Sequence, residues 1–142
     1  MSHLTWNDTQ EFIPPINSGY VIKVYDGDSI TIATQFQFNP NVWYRFSIRL
    51  NGIDTPEIKG STDEEKQMAI KARDRLADLI LHKEVQLKNI SYEKYGRILA
   101  DIHLNSEYIN EILLKERYAV PYQGKTKTLP SSWLNYHIKG EI

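Results

Sequence analysis

Hydrophobic and polar residues alternate most regularly over residues 43–50. Tyr44, Phe46, Ile48 and Leu50 fall on one face; Trp43, Arg45, Ser47 and Arg49 fall on the other. A period of two with one apolar face predicts a half-buried strand, and Asn51-Gly52 ends its regular run. Residues 21–25 and 29–34 predict two earlier strands, joined through the turn signal Asp26-Gly27-Asp28. Residues 35–41, with Pro40, predict a connection. From Thr62 to Lys83 the period changes to that of a helix: Met68, Ala72, Leu76, Leu79 and Ile80 form a stripe, and Thr62 with Glu65 has capping-box spacing. Residues 85–90 and 98–104 predict two more strands, residues 106–117 a second helix, and Pro130 the start of a short third one. Residues 1–19, broken by Pro14-Pro15, read as a flexible leader or arm, and residues 20–142 as the folded domain. Trp6 and Trp133 are expected to anchor the two ends.

Three strands, a helix, two strands and a helix suit an α+β, mainly β fold: a five-stranded OB-type barrel with two to three helices. Fold alone does not establish function. A chain of 142 residues favours one domain. It has no cysteine, which excludes disulfides and thiolate metal sites. The net charge of −1 argues against passive coating of nucleic acid, which needs many phosphate contacts, but leaves room for an enzyme with a locally positive site. No apolar run approaches the roughly 20 residues of a membrane span. The first 19 residues hold neither Lys nor Arg, so no export signal is expected. The expected setting is cytoplasmic or phage/mobile-element associated, and the expected state a monomer without membrane contact.

Polar chemistry concentrates in three short clusters: Asp26-Gly27-Asp28, Arg49 through Asp54-Thr55-Pro56-Glu57, and Lys94-Tyr95-Gly96-Arg97. Each alone is a turn or a solvated charge more often than a site. Asp28 shares the parity of Ile30 and Ile32. If the second strand reached back to it, its carboxylate would lean into the barrel, where it needs a partner or a metal. Two aspartates plus a backbone carbonyl offer hard oxygen ligands suited to calcium or magnesium rather than zinc. Arginine forks match phosphate oxygens and stay charged. His3, His82, His103 and His137 show no metal-ligand spacing.

Taken together the clusters resemble the staphylococcal nuclease, or thermonuclease-like, family. The similarity runs through residues 24–29, 49–57 and 94–97, with Asn110-Glu111 also alike, and covers about residues 21–122. It implies a five-stranded OB barrel with three helices, and calcium-dependent hydrolysis of DNA and/or RNA that leaves 3′-phosphate ends. Asp28 and Asp54 match the family's metal carboxylates, and Thr55 the residue whose backbone carbonyl completes the protein ligands. Glu57 matches the residue that activates or positions water; Arg49 and Arg97 match the phosphate-binding arginines. Tyr95 and Tyr122 match aromatics lining the nucleotide pocket. Four departures stand out: a longer stretch at residues 35–42, acidic Asp63-Glu64-Glu65 where a basic loop is common, a short tail after Tyr122, and the leader. The alternative expectation is a catalytically weak nucleic-acid- or protein-binding module of the same fold, part of a phage or mobile-element assembly.

Overall fold

A computed structural model describes residues 2–60, 62–93, 96–122 and 129–142. Five strands close into a mixed barrel: β1 (Ser18–Asp26), β2 (Ser29–Phe36), β3 (Asn39–Leu50), and two later strands, β5 (Glu84–Tyr92) and β6 (Ile98–Leu104). The sheet order is β3-β2-β1-β5-β6, all antiparallel until β3 meets β6 in parallel over residues 48–50 and closes the ring. Two short strands, β4 (Ile53–Asp54) and β8 (Val120–Pro121), pair outside it, and β7 (Glu107–Tyr108) extends β6. Three helices cover the barrel: α1 (Asp63–Ile80), α2 (Ile109–Lys115) and α3 (Trp133–Lys139). The OB-type barrel with three helices is therefore present.

The core follows the expected parities. Ile30, Ile32, Ile48, Leu50, Ala100 and Ile102 are buried inside the barrel, and Leu76 and Ile80 of α1 with Ile109 and Leu113 of α2 pack against them. Each of these Ile and Leu side chains removed from water contributes about 1.5–3 kcal/mol. Thr62 caps α1, its hydroxyl accepting the Glu65 N–H at 3.1 Å.

Several boundaries differ from the sequence pattern for identifiable reasons. Residues 35–41 are not a loose connection. Both strands run on to a two-residue turn, with Phe36 paired to Asn39. Phe36 stacks on Phe38 at 5.2 Å and meets the Phe46 ring edge-on, so ring packing extends the hairpin. Exposed Pro40, which has no N–H to pair, lies near this tip. α1 stops at Ile80 rather than Lys83 because the backbone turns extended at Leu81, with ψ 132°, and His82 then takes φ +63°. α2 begins at Ile109 rather than Ser106 because Asn105 and Ser106, at φ +50° and +74°, form the turn into β7. At the N-terminal end, β1 starts at Ser18 and Ile16 lies in the core, so the segment before Tyr20 contributes to the fold. Trp6 does not anchor its end: it is 90% exposed in a single 3-10 turn whose Asp8 carboxylate accepts the Thr5 N–H. Trp133 does anchor its end, packed with Met68, Val120 and Tyr136.

Candidate active site

The barrel places three chain segments around one cleft of about 270 Å³. The β1–β2 turn brings Asp26 and Asp28; the end of β3 and the β4 segment bring Arg49, Asp54, Thr55 and Glu57; the start of β6 brings Arg97. The close turn depends on Gly27. A Cβ there would lie 2.9 Å from Ala72 Cβ and 3.0 Å from Thr55 Cγ2, so only glycine lets the turn approach both α1 and the β4 segment. Pro56 is buried and Glu57 exposed beyond it, with the Glu57 carbonyl accepting the Gly60 N–H at 2.9 Å.

Arg49 sits at the centre. Its Nη2 lies 3.5 Å from Asp28 Oδ2 and 3.5 Å from Asp54 Oδ1, all three side chains being about nine-tenths buried. Its guanidinium lies 5.1 Å from the Tyr122 ring centroid, a cation–π contact. Arg49 thus occupies the polar face of its strand yet is buried, because Tyr122 and the carboxylates cover it. Asp28 is a turn residue, not a continuation of β2. Its carboxylate joins Arg49 in the cleft instead of leaning into the barrel. It accepts the Ser29 hydroxyl at 3.2 Å. Burial pushes the Asp28 carboxyl up, Arg49 pulls it back, and Asp54 pushes it up again.

Arg97 reaches the same cleft half-exposed. Its Nε donates to the Glu93 carboxylate and its Nη1 to Ser29 Oγ at 3.3 Å. A hydrogen-bonded line therefore runs from Arg97 through Ser29 to Asp28. Asp26 adds a fourth carboxylate to the cleft, beside Asp28, Asp54 and Glu57: its Oδ1 is buried with no hydrogen-bond partner among the described residues. Burial, then Asp28 and Glu57, raise its carboxyl, while Arg97 and Arg73 draw it down.

The sequence singled out Asp28, Arg49, Asp54, Thr55, Glu57, Arg97 and Tyr122, and the fold brings all seven together. Tyr95, expected in the nucleotide pocket, lies outside the described residues. Asp63, Glu64 and Glu65 do not line the cleft; they form the first turn of α1, where acidic side chains suit the helix dipole. Lys59 lines it instead. Sequence reasoning missed Ser29 and Glu93. Ser29 was legible in principle as the cross-strand partner of Arg49, and Glu93 as the acid four residues before Arg97.

The sequence profile described as Staphylococcal nuclease homologue matches residues 47–133, more than half of the chain. The chain belongs to the staphylococcal nuclease family. Among its relatives is the micrococcal nuclease of Shigella flexneri, 30% identical over 118 residues, 75% of this chain and 60% of that one. The SPbeta prophage-derived endonuclease YokF of Bacillus subtilis is 32% identical over 111 residues, 74% of this chain and 35% of that one. The Staphylococcal-like nuclease CAN1 of Arabidopsis thaliana is 33% identical over 78 residues, 55% of this chain and 22% of that one. The chain thus spans 60% or less of the length of these family relatives. The matched region contains Arg49, Asp54, Thr55, Glu57, Arg97 and Tyr122; Asp28 and Ser29 lie before it.

Proposed function

We propose that this chain is a calcium-dependent nuclease that hydrolyses phosphodiester bonds of DNA and/or RNA and leaves 3′-phosphate ends. The observation that carries the reading is the meeting of Asp28 and Asp54 at one Arg49 guanidinium, in a cleft that also holds Arg97 and Glu57. Membership of a family whose relatives are named nucleases supports the reaction class.

The donor set fits a hard cation. It offers oxygen only: the carboxylates of Asp28 and Asp54 and the carbonyl of Thr55, with water to complete the shell. The upward push on buried Asp28, from burial and from Asp54, is the imbalance a divalent cation offsets. Among the described residues no set of three or more His, Cys, Asp or Glu side chains forms a metal cluster, so the third protein ligand in this reading is a backbone atom. When bound, the cation supplies charge neutralisation and polarisation at the phosphoryl group.

The chain's own groups do the rest. Arg49 and Arg97 bind the phosphate oxygens and stabilise the negative charge that grows as water attacks phosphorus. Glu57, exposed at the cleft rim, accepts or directs the proton leaving that water. The new bond is P–O from water, and the bond that breaks joins phosphorus to the 5′ oxygen. That oxygen leaves with a proton as a 5′-hydroxyl, and the phosphate stays on the 3′ side. Tyr122, already stacked on Arg49, holds the guanidinium plane in place.

The test is cleavage of single-stranded DNA and of RNA with calcium and with chelator, followed by end-group analysis. Calcium-dependent cleavage giving 3′-phosphate ends is expected. Undiminished cleavage in chelator overturns the metal assignment, and 5′-phosphate ends overturn the bond assignment. Binding without cleavage under all metals makes the chain a binding module.

A further inference from the structure

The face of the sheet that carries the cleft continues well beyond it. Ser29 opposes Arg49 across the β2–β3 pair; the next residues on that face are Thr31 opposite Ser47, then Ala33 opposite Arg45. On β1, register shifts near Ile22 and Tyr25 bring Lys23 opposite Thr31 and Tyr20 opposite Ala33. Trp43, two residues on from Arg45, meets the Tyr20 ring edge-on with centroids 5.7 Å apart. Tyr20, Ile22, Ala33 and Trp43 line a shallow apolar depression, and Tyr20 and Trp43 are 44% and 54% exposed. Between this depression and the cleft, Lys23 lies over the exposed Tyr25 ring at 5.5 Å, and Tyr25 itself lines the cleft.

The two ends are therefore one strip. From Arg49 to Trp43 it runs six residues along β3, roughly 20 Å at about 3.3 Å per residue. Its acids are confined to the ends, Asp26, Asp28, Asp54 and Glu57 at the cleft and Glu84 beside Tyr20. Between them the outward side chains are neutral or basic: Lys23, Thr31, Ala33, Arg45 and Ser47. Exposed rings interleaved with cations, on a face joined to a phosphate-binding cleft, have the chemistry that recognises unpaired bases and their backbone. A duplex, whose bases already stack on each other, cannot lay them on these rings.

We propose that this strip is a binding track for single-stranded nucleic acid. An extended strand leaves the cleft over Tyr25, Tyr20 and Trp43 stack its bases, and Lys23 and Arg45 meet its phosphates. The proposal rests on the nuclease reading of the cleft and extends it to a substrate form. A track of this length suits the low end of the roughly 4–16 nucleotides bound per OB-type barrel.

The test pairs two substrates with one double variant, Y20A/W43A, whose side chains lie outside the core. A dinucleotide fills the cleft alone; a single strand of about 12 nucleotides also reaches the track. The variant is expected to raise KM for the longer strand by about 10-fold or more, the effect of losing stacked bases. It should leave kcat and dinucleotide cleavage unchanged. R45E should weaken binding similarly and flatten its salt dependence. Binding of a labelled strand in chelator gives a second readout that needs no catalysis. If the wild type cleaves nothing but Y20A/W43A still weakens single-strand binding, the nuclease reading fails and the track stands. Equal KM and equal binding in variant and wild type overturn the track and leave the strip to a protein partner. Equal losses on dinucleotide and long strand, or equal losses on duplex and single strand, also overturn it.

Discussion

Arg49 is fixed from three sides, by Asp28, by Asp54 and by the Tyr122 ring. Arg49 meets both carboxylates through Nη2 alone, which leaves the rest of its planar fork to a phosphate; an ammonium has a single nitrogen for all of these partners. Arg49→Lys, which keeps the charge, is therefore expected to lower kcat by about 100-fold. Arg97 differs in kind. Its side chain is 41% exposed and held by Glu93 and Ser29, so little of the fold leans on it. Arg97→Ala and Glu57→Gln should each reduce turnover by roughly 100-fold or more with an unchanged thermal midpoint. Cleavage rates within a few-fold of wild type in either variant would remove that residue from the mechanism. These positions were legible in the sequence because each lies in a short motif beside a strand end. The partners that hold them were not. Tyr122 reaches Arg49, and Ser29 reaches Arg97, only after the barrel has closed.

Among the elements, α2 acts on the cleft without entering it. Asn110 is buried, and its Oδ1 accepts the Ile102 N–H at 3.0 Å while its Nδ2 donates to the Asn51 carbonyl at 2.8 Å. One side chain thus ties α2 to β6 and to the turn directly after Arg49 and Leu50. Asn110→Ala leaves both backbone groups without this partner. A loss of about 2–4 kcal/mol is expected in urea unfolding, and a loss below about 0.5 kcal/mol would mean water replaces the amide. The β1–β2 turn makes the complementary case. Gly27→Ala must move the turn off Ala72 and Thr55, so it should cost about 1–3 kcal/mol and displace Asp28. Activity should then fall further than stability alone explains, measured well below the unfolding midpoint. The regular strands and α1 were readable from local periodicity, since their burial follows a fixed period. The β4–β8 pair and the extended hairpin tip were not, since one depends on residues far apart in sequence and the other on ring stacking.

For the whole molecule, the cleft is a place where the fold carries unfavourable charge. Asp28 and Asp54 are buried together, each 3.5 Å from the Arg49 guanidinium that they share. The raised Asp28 carboxyl means that its ionised form opposes folding at neutral pH, because a group whose folded pKa lies above its unfolded one is destabilising when charged. Removing that charge should therefore stabilise the protein when no cation is present: Asp28→Asn is expected to melt higher than wild type in chelator. Calcium should reverse the order. A ligand that binds only the folded state at about 100 times its Kd adds about 2.7 kcal/mol, roughly 5–10 °C for a chain of this size. The wild type is thus expected to gain several degrees on adding calcium, while Asp28→Asn and Asp54→Asn gain little. Scanning calorimetry with calcium and with chelator decides the matter without any cleavage assay. Equal calcium shifts in all three proteins would place the bound ion away from these carboxylates, and a variant that melts lower than wild type in chelator would show that their pairing with Arg49 outweighs their burial.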